Sequence, residues 1–179
     1  GVRDFDKVRT VLEAMAENAV SIDRNYWNLP NPFFVLATIN PFEFHGVFPL
    51  AESQLDRFMF LLEVGFPGDE SEEIKIYRNT KVFNDSSLKL VENIISVDDV
   101  INIRNMVSDV NVDESLLGYM MAIVKKTREH PEISTGVSVR GGLQFISGAK
   151  ALAFVRERNF VAPEDIYDLA IPALSHRIW

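Results

Sequence analysis

The amino-acid sequence predicts an α/β segment followed by an all-α segment. Two apolar runs of strand length, residues 33–38 and 58–64, lie in the first third of the chain. Beyond residue 69, apolar residues recur at helical spacing and no further strong strand pattern occurs. We therefore predict a division into residues 1–66, which contain the strands, and residues 67–179, which are helical.

Each predicted element has a local signal. The spacing of apolar residues predicts a helix over 5–17, and the alternation that follows predicts a hairpin over about 20–29. The run 33–38 is apolar throughout, which is typical of a strand buried on both faces. A short helix is predicted over 51–56, and Asp69 and Asp113 are placed to begin longer ones. Further helices are predicted over 97–107, 113–129, 140–158 and 163–176, the last opening on Pro163.

Composition excludes several classes of protein. The net charge of -8 argues against a dedicated nucleic-acid surface. The absence of cysteine removes disulfides, zinc-thiolate sites and thiol catalysis, and fits a cytoplasmic location. No apolar run is long enough to span a bilayer. We expect a cytoplasmic protein without a membrane span and without a nucleic-acid partner.

Asn40 and Arg57 stand at positions suited to phosphate. Asn40 follows the predicted strand 33–38, and ligands of open parallel sheets bind beyond the carboxyl ends of strands. The alternative is that Asn40 only forms a turn before Pro41. Arg57 lies between a short helix and the second strand, where its planar fork could meet phosphate. The alternative is a surface ion pair with Asp56 or Glu52.

Arg140 is the third candidate, at the start of a helix and before two consecutive glycines. A cation at a helix start opposes the helix dipole, a cost that an anionic ligand could offset. The glycines Gly141 and Gly142 are poor helix formers, which indicates that something approaches the backbone there. The alternative is an exposed arginine on a poorly capped helix.

Other catalytic patterns are missing from the sequence. The three histidines, His45, His130 and His176, are isolated from one another, and no metal-binding or nucleophile motif occurs. We predict no metal ligands. The chain also contains no glycine-rich phosphate loop ending in Lys-Ser or Lys-Thr, and no apolar strand ending in paired acids.

Five segments together carry a family resemblance. In order they are VLEAMAENAVSID, then LPNPFFVLATINPFEFHGVFPLAESQLDRF, VGFP, TREHPEISTGVSVRGGL and FVAPEDIYDLAIPALSHRI. At this spacing the chain resembles the MoxR family of AAA+ ATPases from about residue 8 to 178. The resemblance implies the second half of a parallel αβα core of the P-loop NTPase type, followed by a helical lid bundle.

The resemblance also implies roles for the three candidates. Asn40 matches sensor 1, which helps to position the attacking water. Arg57 matches the arginine finger, which reaches the nucleotide of the neighbouring subunit, and Arg140 matches sensor 2 on the lid. The parent protein is expected to use ATP and Mg²⁺ in a hexameric ring, and to act on protein clients, commonly with von Willebrand A domains. Residues 19–29 match the hairpin that in related motors contacts substrate or partner.

The chain departs from the family pattern in two places. The phosphate loop and the Mg²⁺-binding acidic strand are expected upstream of Gly1, and the first four residues do not reproduce that strand. The segment around Ile39 and residues 42–45 is more apolar than is typical of the family. Without Walker A and Walker B motifs, we expect the 179 residues alone to be inactive. The alternatives are a non-catalytic protein-interaction module and a magnesium-chelatase-type ATPase subunit.

Overall fold

The computed structural model describes residues 2–22, 25–39, 50–78 and 93–179. Helix α1 (Val2–Glu17) leads into an antiparallel hairpin of β1 (Ala19–Ile22) and β2 (Asn25–Asn28). Helices α2 (Glu52–Leu55) and α3 (Glu70–Arg78) follow. The remaining elements are α4 (Val97–Ser108), α5 (Glu114–Glu129), α6 (Val139–Val155), α7 (Pro163–Leu174) and a closing 3-10 helix (Ser175–Arg177).

The hairpin is joined tightly to α1. Asn18 has a φ of 51°, a left-handed conformation that asparagine tolerates better than most residues. In this conformation its N–H donates to the Ala14 carbonyl at 3.0 Å, and its carbonyl accepts from Leu29 N–H at 2.8 Å. In the register of the two strands, Ala19 faces Asn28 and Ile22 faces Asn25. The predicted hairpin is therefore confirmed.

The helices within residues 67–179, the helical half of the chain, begin where the sequence predicts. The Asp69 carboxylate accepts from Glu72 N–H at 2.9 Å ahead of α3. The Asp113 side chain accepts from Ser115 N–H at 2.9 Å ahead of α5. Pro163 occupies the first turn of α7, where its missing N–H leaves no hydrogen bond unmade. These starts are confirmed, although α6 and α7 end a few residues earlier than predicted.

The core of the helical half forms where α4, α5 and α7 pack around α6. On α6, the small residues Ala149 and Ala153 and the large Phe145 are all fully buried in this core. Asn111 and Phe160 form a parallel bridge that ties the loop before α5 to the loop before α7. The buried cluster consists of Val110, Met120, Val124, Val137, Phe145, Ala149, Ala153, Val161, Ile166, Ala173 and Leu174.

The two apolar strands predicted from the sequence do not form. Residues 33–39 and 60–67 have no regular secondary structure, and within the described ranges the only sheet is the hairpin. Phe34 and Leu36 are each 83% exposed, so the prediction that 33–38 is buried on both faces is wrong for this structure. The physical reason is the missing partner, because a strand is stabilised only when a neighbouring strand pairs with its N–H and C=O groups.

Candidate functional site

Asn40 lies outside the described residues, so its place at the candidate site remains a prediction.

Arg57 is held at both its backbone and its side chain. It follows α2, where its N–H donates to the Gln54 carbonyl at 3.2 Å. Its own carbonyl accepts from Gln144 Nε2 of α6 at 3.3 Å. Its half-buried guanidinium donates through Nη1 to the Leu12 carbonyl of α1 at 3.3 Å. Arg57 therefore sits where α1, α2 and α6 meet, with one guanidinium nitrogen engaged in a hydrogen bond to α1.

Arg140 lies in the first turn of α6 with its side chain 53% exposed. The helix is well capped, because Ser138 Oγ accepts from Gly141 N–H at 3.0 Å. The alternative is therefore wrong about the cap and correct about the exposure of the arginine. Arg140 faces the Asp56 carboxylate, with its Nη1 at 3.6 Å from Asp56 Oδ2. Since Asp56 precedes Arg57 directly, the structure brings Arg57 and Arg140 into one neighbourhood from distant parts of the sequence.

Asp56 is the residue that sequence reasoning missed. Besides facing Arg140, its carboxylate accepts from Ser138 Oγ at 2.9 Å and from Arg177 Nε at 3.0 Å. From the sequence, Asp56 is suggested only as an ion-pair partner of Arg57. The signal that could have identified it was the cation at the start of α6, because such a helix start favours a nearby anion.

Arg177 fastens residues 56–59 to the helical half. Its side chain is almost completely buried, and Nη2 donates to the carbonyls of Phe58 at 2.6 Å and Asp56 at 3.1 Å. Further bonds reach the Ala173 carbonyl and Gln144 Oε1. Burial lowers the pKa of Arg177 below its usual value and the bond to Asp56 opposes that shift, so the guanidinium stays charged at neutral pH.

His176 makes a second attachment to the same segment. Its Nε2 lies 2.9 Å from the Phe58 carbonyl, which must accept, so Nε2 carries the proton. Burial lowers the pKa of His176, outweighing the opposite effect of the Phe58 bond. His176 Nδ1 is buried and has no hydrogen-bond partner in the part of the chain that the structure describes. The side chain is therefore a neutral imidazole that anchors the segment through one nitrogen.

Gly141 is required by the packing of Arg177. A Cβ placed on Gly141 would lie 2.8 Å from both Arg177 Cδ and Val137 Cγ1. At Gly142 the nearest atom to such a Cβ would be Val124 Cγ2, at 3.9 Å. The close approach that the double glycine predicts is therefore confirmed at the first glycine, while the second has room for a side chain.

The glycine pair gives a matched test of this packing. Gly141→Ala is expected to destabilise the fold by about 1–3 kcal/mol, because the new methyl group overpacks against the immobilised Arg177. Gly142→Ala is expected to stabilise it by about 0.5–1 kcal/mol, since alanine is the better helix former. Urea unfolding followed by circular dichroism measures both. Equal effects of the two substitutions on the free energy of unfolding would contradict the conclusion that Gly141 is required by the packing of Arg177.

The donor set suits an anion and not a metal. Arg57 and Arg140 present guanidinium groups of the kind that bind phosphate. Over residues 2–22, 25–39, 50–78 and 93–179, no group of three or more His, Cys, Asp or Glu side chains is placed to hold a metal ion. Among the described residues, the two arginines therefore supply donors of the kind that bind an anion.

None of the helices in the described ranges has the length and apolarity needed to cross a membrane.

Comparison with known proteins matches both halves of the chain. The model for the ATPase family associated with various cellular activities (AAA) matches residues 3–60, and the model for the AAA lid domain matches residues 125–179. A crystal structure of a candidate ATPase from Cytophaga hutchinsonii ATCC 33406 is 36% identical, with a TM-score of 0.84. The match covers 97% of this chain and 54% of that one.

Two curated relatives extend the comparison. Uncharacterized protein YeaC of Bacillus subtilis (strain 168) is 39% identical over 168 residues, covering 94% of this chain and 52% of the relative. Chaperone MoxR1 of Mycobacterium tuberculosis (strain ATCC 25618 / H37Rv) is 34% identical over 177 residues, covering 94% of this chain and 46% of the relative. The chain thus spans about half the length of the curated relatives it matches.

Proposed function

Because the chain belongs to the MoxR-type AAA+ ATPases, we propose that it is the C-terminal part of the ATPase core with its helical lid, within a longer parent that hydrolyses ATP. The observation that carries this proposal is that models for the AAA ATPase family and for the AAA lid domain match residues 3–60 and 125–179 in that order. The structure adds that Arg140 lies 3.6 Å from the carboxylate of Asp56, the residue that precedes Arg57 in the chain. Arginines suit such a role, because catalysis of phosphoryl transfer consists mainly of positioning and charge stabilisation.

The exposed apolar surface supports the existence of a longer parent. Phe34, Leu36, Val64 and Phe66 are all strongly exposed, and they belong to the two segments that the sequence predicts as buried strands. Large apolar side chains exposed to this degree are candidates for burial in an interface. In the parent, we expect the upstream half of the sheet to pair with these segments and cover them.

Each candidate has a distinct task in the proposed mechanism. Asn40 orients the attacking water as sensor 1. Arg57 stabilises charge on the transferring phosphoryl group in the neighbouring subunit, and Arg140 binds the phosphates from the lid, with its action in cis or in trans left open. Mg²⁺ would, when bound, neutralise part of the phosphate charge. Hydrolysis then depends on assembly of a ring, because one arginine comes from the adjacent protomer.

The parent's biological role is inferred from its relatives. A curated relative carries the name Chaperone MoxR1. We propose that the parent is a cytoplasmic hexamer that remodels or matures protein clients, including clients with von Willebrand A domains. The negative net charge supports the absence of a nucleic-acid partner.

The isolated chain is expected to show no ATP hydrolysis. It has no Walker A loop to wrap the phosphates with backbone N–H groups, and no Walker B acids to hold Mg²⁺. The measurement is phosphate release from Mg²⁺-ATP by the purified 179-residue chain, with the intact parent as the positive control. Mg²⁺-dependent turnover by the chain alone would overturn the proposal.

Arg140→Ala in the parent is expected to weaken nucleotide binding by roughly 10-fold or more, since a bond to a charged group contributes about 1.5–3 kcal/mol. Isothermal titration calorimetry with AMP-PNP and Mg²⁺ measures the dissociation constant. Lys125→Ala is the control, because Lys125 pairs with Glu129 in a strongly exposed ion pair on α5. Unchanged affinity together with unchanged turnover would remove Arg140 from the nucleotide site.

A non-catalytic interaction module and a magnesium-chelatase-type subunit remain the competing proposals. The exposed Tyr119 and Met121 on α5 are the described feature that favours an interaction module. Failure of the intact parent to bind AMP-PNP would favour that module over the ATPase.

A further inference from the structure

The Asp56 carboxylate lies between two guanidinium groups that differ in how firmly they are held. Arg177 has a side chain only 1% exposed and five further acceptors, the carbonyls of Asp56, Phe58, Met59 and Ala173 and the amide oxygen of Gln144. Arg140 is 53% exposed, and its 3.6 Å distance to Asp56 exceeds that of a direct hydrogen bond. Arg177 is therefore a permanent partner of Asp56, whereas Arg140 is free to rotate away at little cost.

Asp56 itself is fixed in place. Ser138 Oγ donates to both of its carboxylate oxygens at 2.9 Å, and Arg177 Nε binds Oδ1 at 3.0 Å. The carboxylate therefore holds one position at the start of α6 whether or not Arg140 contacts it. The moving part of the pair is the Arg140 side chain.

We propose that Asp56 is a positioning residue that holds Arg140 while no nucleotide is bound and competes with phosphate for its guanidinium. The proposal rests on the proposed function, in which Arg140 contacts the nucleotide. Binding exchanges the Arg140–Asp56 ion pair for an Arg140–phosphate ion pair. Because Asp56 immediately precedes Arg57, this exchange takes place beside the segment that carries the proposed finger.

The test is nucleotide affinity in the intact parent, measured by calorimetry with AMP-PNP and Mg²⁺. Asp56→Asn keeps the shape of the side chain but removes the competing charge. We expect it to tighten binding roughly 2–5-fold, the equilibrium effect of removing a partly exposed ion pair. Asp56→Glu restores the carboxylate and should return the affinity to the wild-type value. A residue with a merely structural role would weaken binding when replaced, so the direction of the change is diagnostic.

A double-mutant cycle with Arg140→Ala completes the test. If Asp56 acts through Arg140, then Asp56→Asn has no effect on affinity in the Arg140→Ala background. Tightening that persists there would overturn the proposal, and so would an unchanged or weakened affinity in the single variant. If Arg140→Ala alone leaves affinity unchanged, the proposed function of Arg140 fails. If only the Asp56 variant fails, the function stands and this inference does not.

The folding of the variants is checked by thermal melting. Asp56→Asn leaves Arg177 as a buried cation without a counter-charge, so a second variant removes both charges as Asp56→Asn with Arg177→Gln. Replacing both partners of a buried pair is less disruptive than removing one. The double variant is compared with Arg177→Gln alone and should show the same 2–5-fold tightening. Loss of cooperative melting in both would overturn the proposal, because the carboxylate would then be required for folding itself.

Discussion

Arg57→Ala in the parent is expected to lower the turnover number by about 10³-fold or more while leaving nucleotide affinity unchanged. An arginine finger contributes 10³–10⁵-fold to phosphoryl transfer. Because the finger acts on the site of the neighbouring subunit, its loss removes charge stabilisation there and leaves the protomer's own nucleotide contacts in place. Steady-state phosphate release gives the turnover number, and calorimetry with AMP-PNP gives the affinity.

Two controls separate this effect from general damage. Arg78→Ala removes an exposed arginine at the end of α3 and should leave turnover near the wild-type value. Mixed rings test action in trans, because Arg57→Ala protomers should regain hydrolysis at their own sites when wild-type neighbours supply the finger. A loss of affinity as large as the loss of turnover would argue that Arg57 binds the nucleotide of its own subunit.

Asp165→Asn is expected to lower the free energy of unfolding by roughly 2–4 kcal/mol, somewhat less than for a fully buried pair because its two arginine partners, Arg156 and Arg158, are partly exposed. Asp165 is completely buried at the start of α7. Its carboxylate accepts from Arg158 Nη2 at 2.6 Å, Arg156 Nη1 at 2.9 Å and Ala162 N–H at 2.8 Å. Asp165→Asn removes the negative charge that the two arginines share and replaces one accepting oxygen with an amide nitrogen that cannot accept, which also weakens the cap of α7.

Asp168 is the matched control for Asp165. It accepts from Arg156 Nη2 at 2.6 Å but lies at the exposed end of the same network. Asp168→Asn should therefore change the free energy of unfolding by about 0.2–1 kcal/mol. Urea unfolding at pH 7 compares the two variants, and equal losses would show that burial does not govern the network.

The same carboxylate predicts a pH dependence. Burial alone would raise the pKa of Asp165, but the bonds from Arg158, Ala162 and Arg156 outweigh it and the pKa is lowered from 3.8. A carboxyl whose pKa is lower in the folded state than in the unfolded state stabilises the fold at any pH above its unfolded-state pKa. That contribution is lost as the pH falls through its folded-state pKa. The stabilisation from Asp165 should thus be present at pH 7 and lost below pH 3.8. Asp165→Asn should flatten this acidic loss in urea unfolding measured at successive pH values.

The helices could be predicted because their signals are local. The caps at Asp113 and Asp69, and Pro163 in the first turn of α7, act within one turn of the residues that carry them. The strands predicted at 33–38 and 58–64 do not form in this structure, because a strand depends on pairing partners outside its own segment. The physical difference is between hydrogen bonds made inside a segment and those made between segments.

The site was predictable only in part for a related reason. The types of Arg57 and Arg140 and their places at element ends indicate an anion-binding role. Their common neighbour Asp56 is remote from Arg140 and Arg177 in sequence, and no local pattern joins the three. Such an acceptor emerges only when the fold brings α2, α6 and the closing 3-10 helix together.

The bonds of Arg177 to residues 56–59 bear on how the lid can be produced by itself. A polypeptide started at residue 67, the boundary predicted from sequence, would lose the Asp56 carboxylate and the carbonyls of Asp56 and Phe58. The buried Arg177 guanidinium would then lack most of its hydrogen-bond acceptors. Recombinant lids should begin before α2, so that this arginine keeps its ligands and the expressed polypeptide remains soluble.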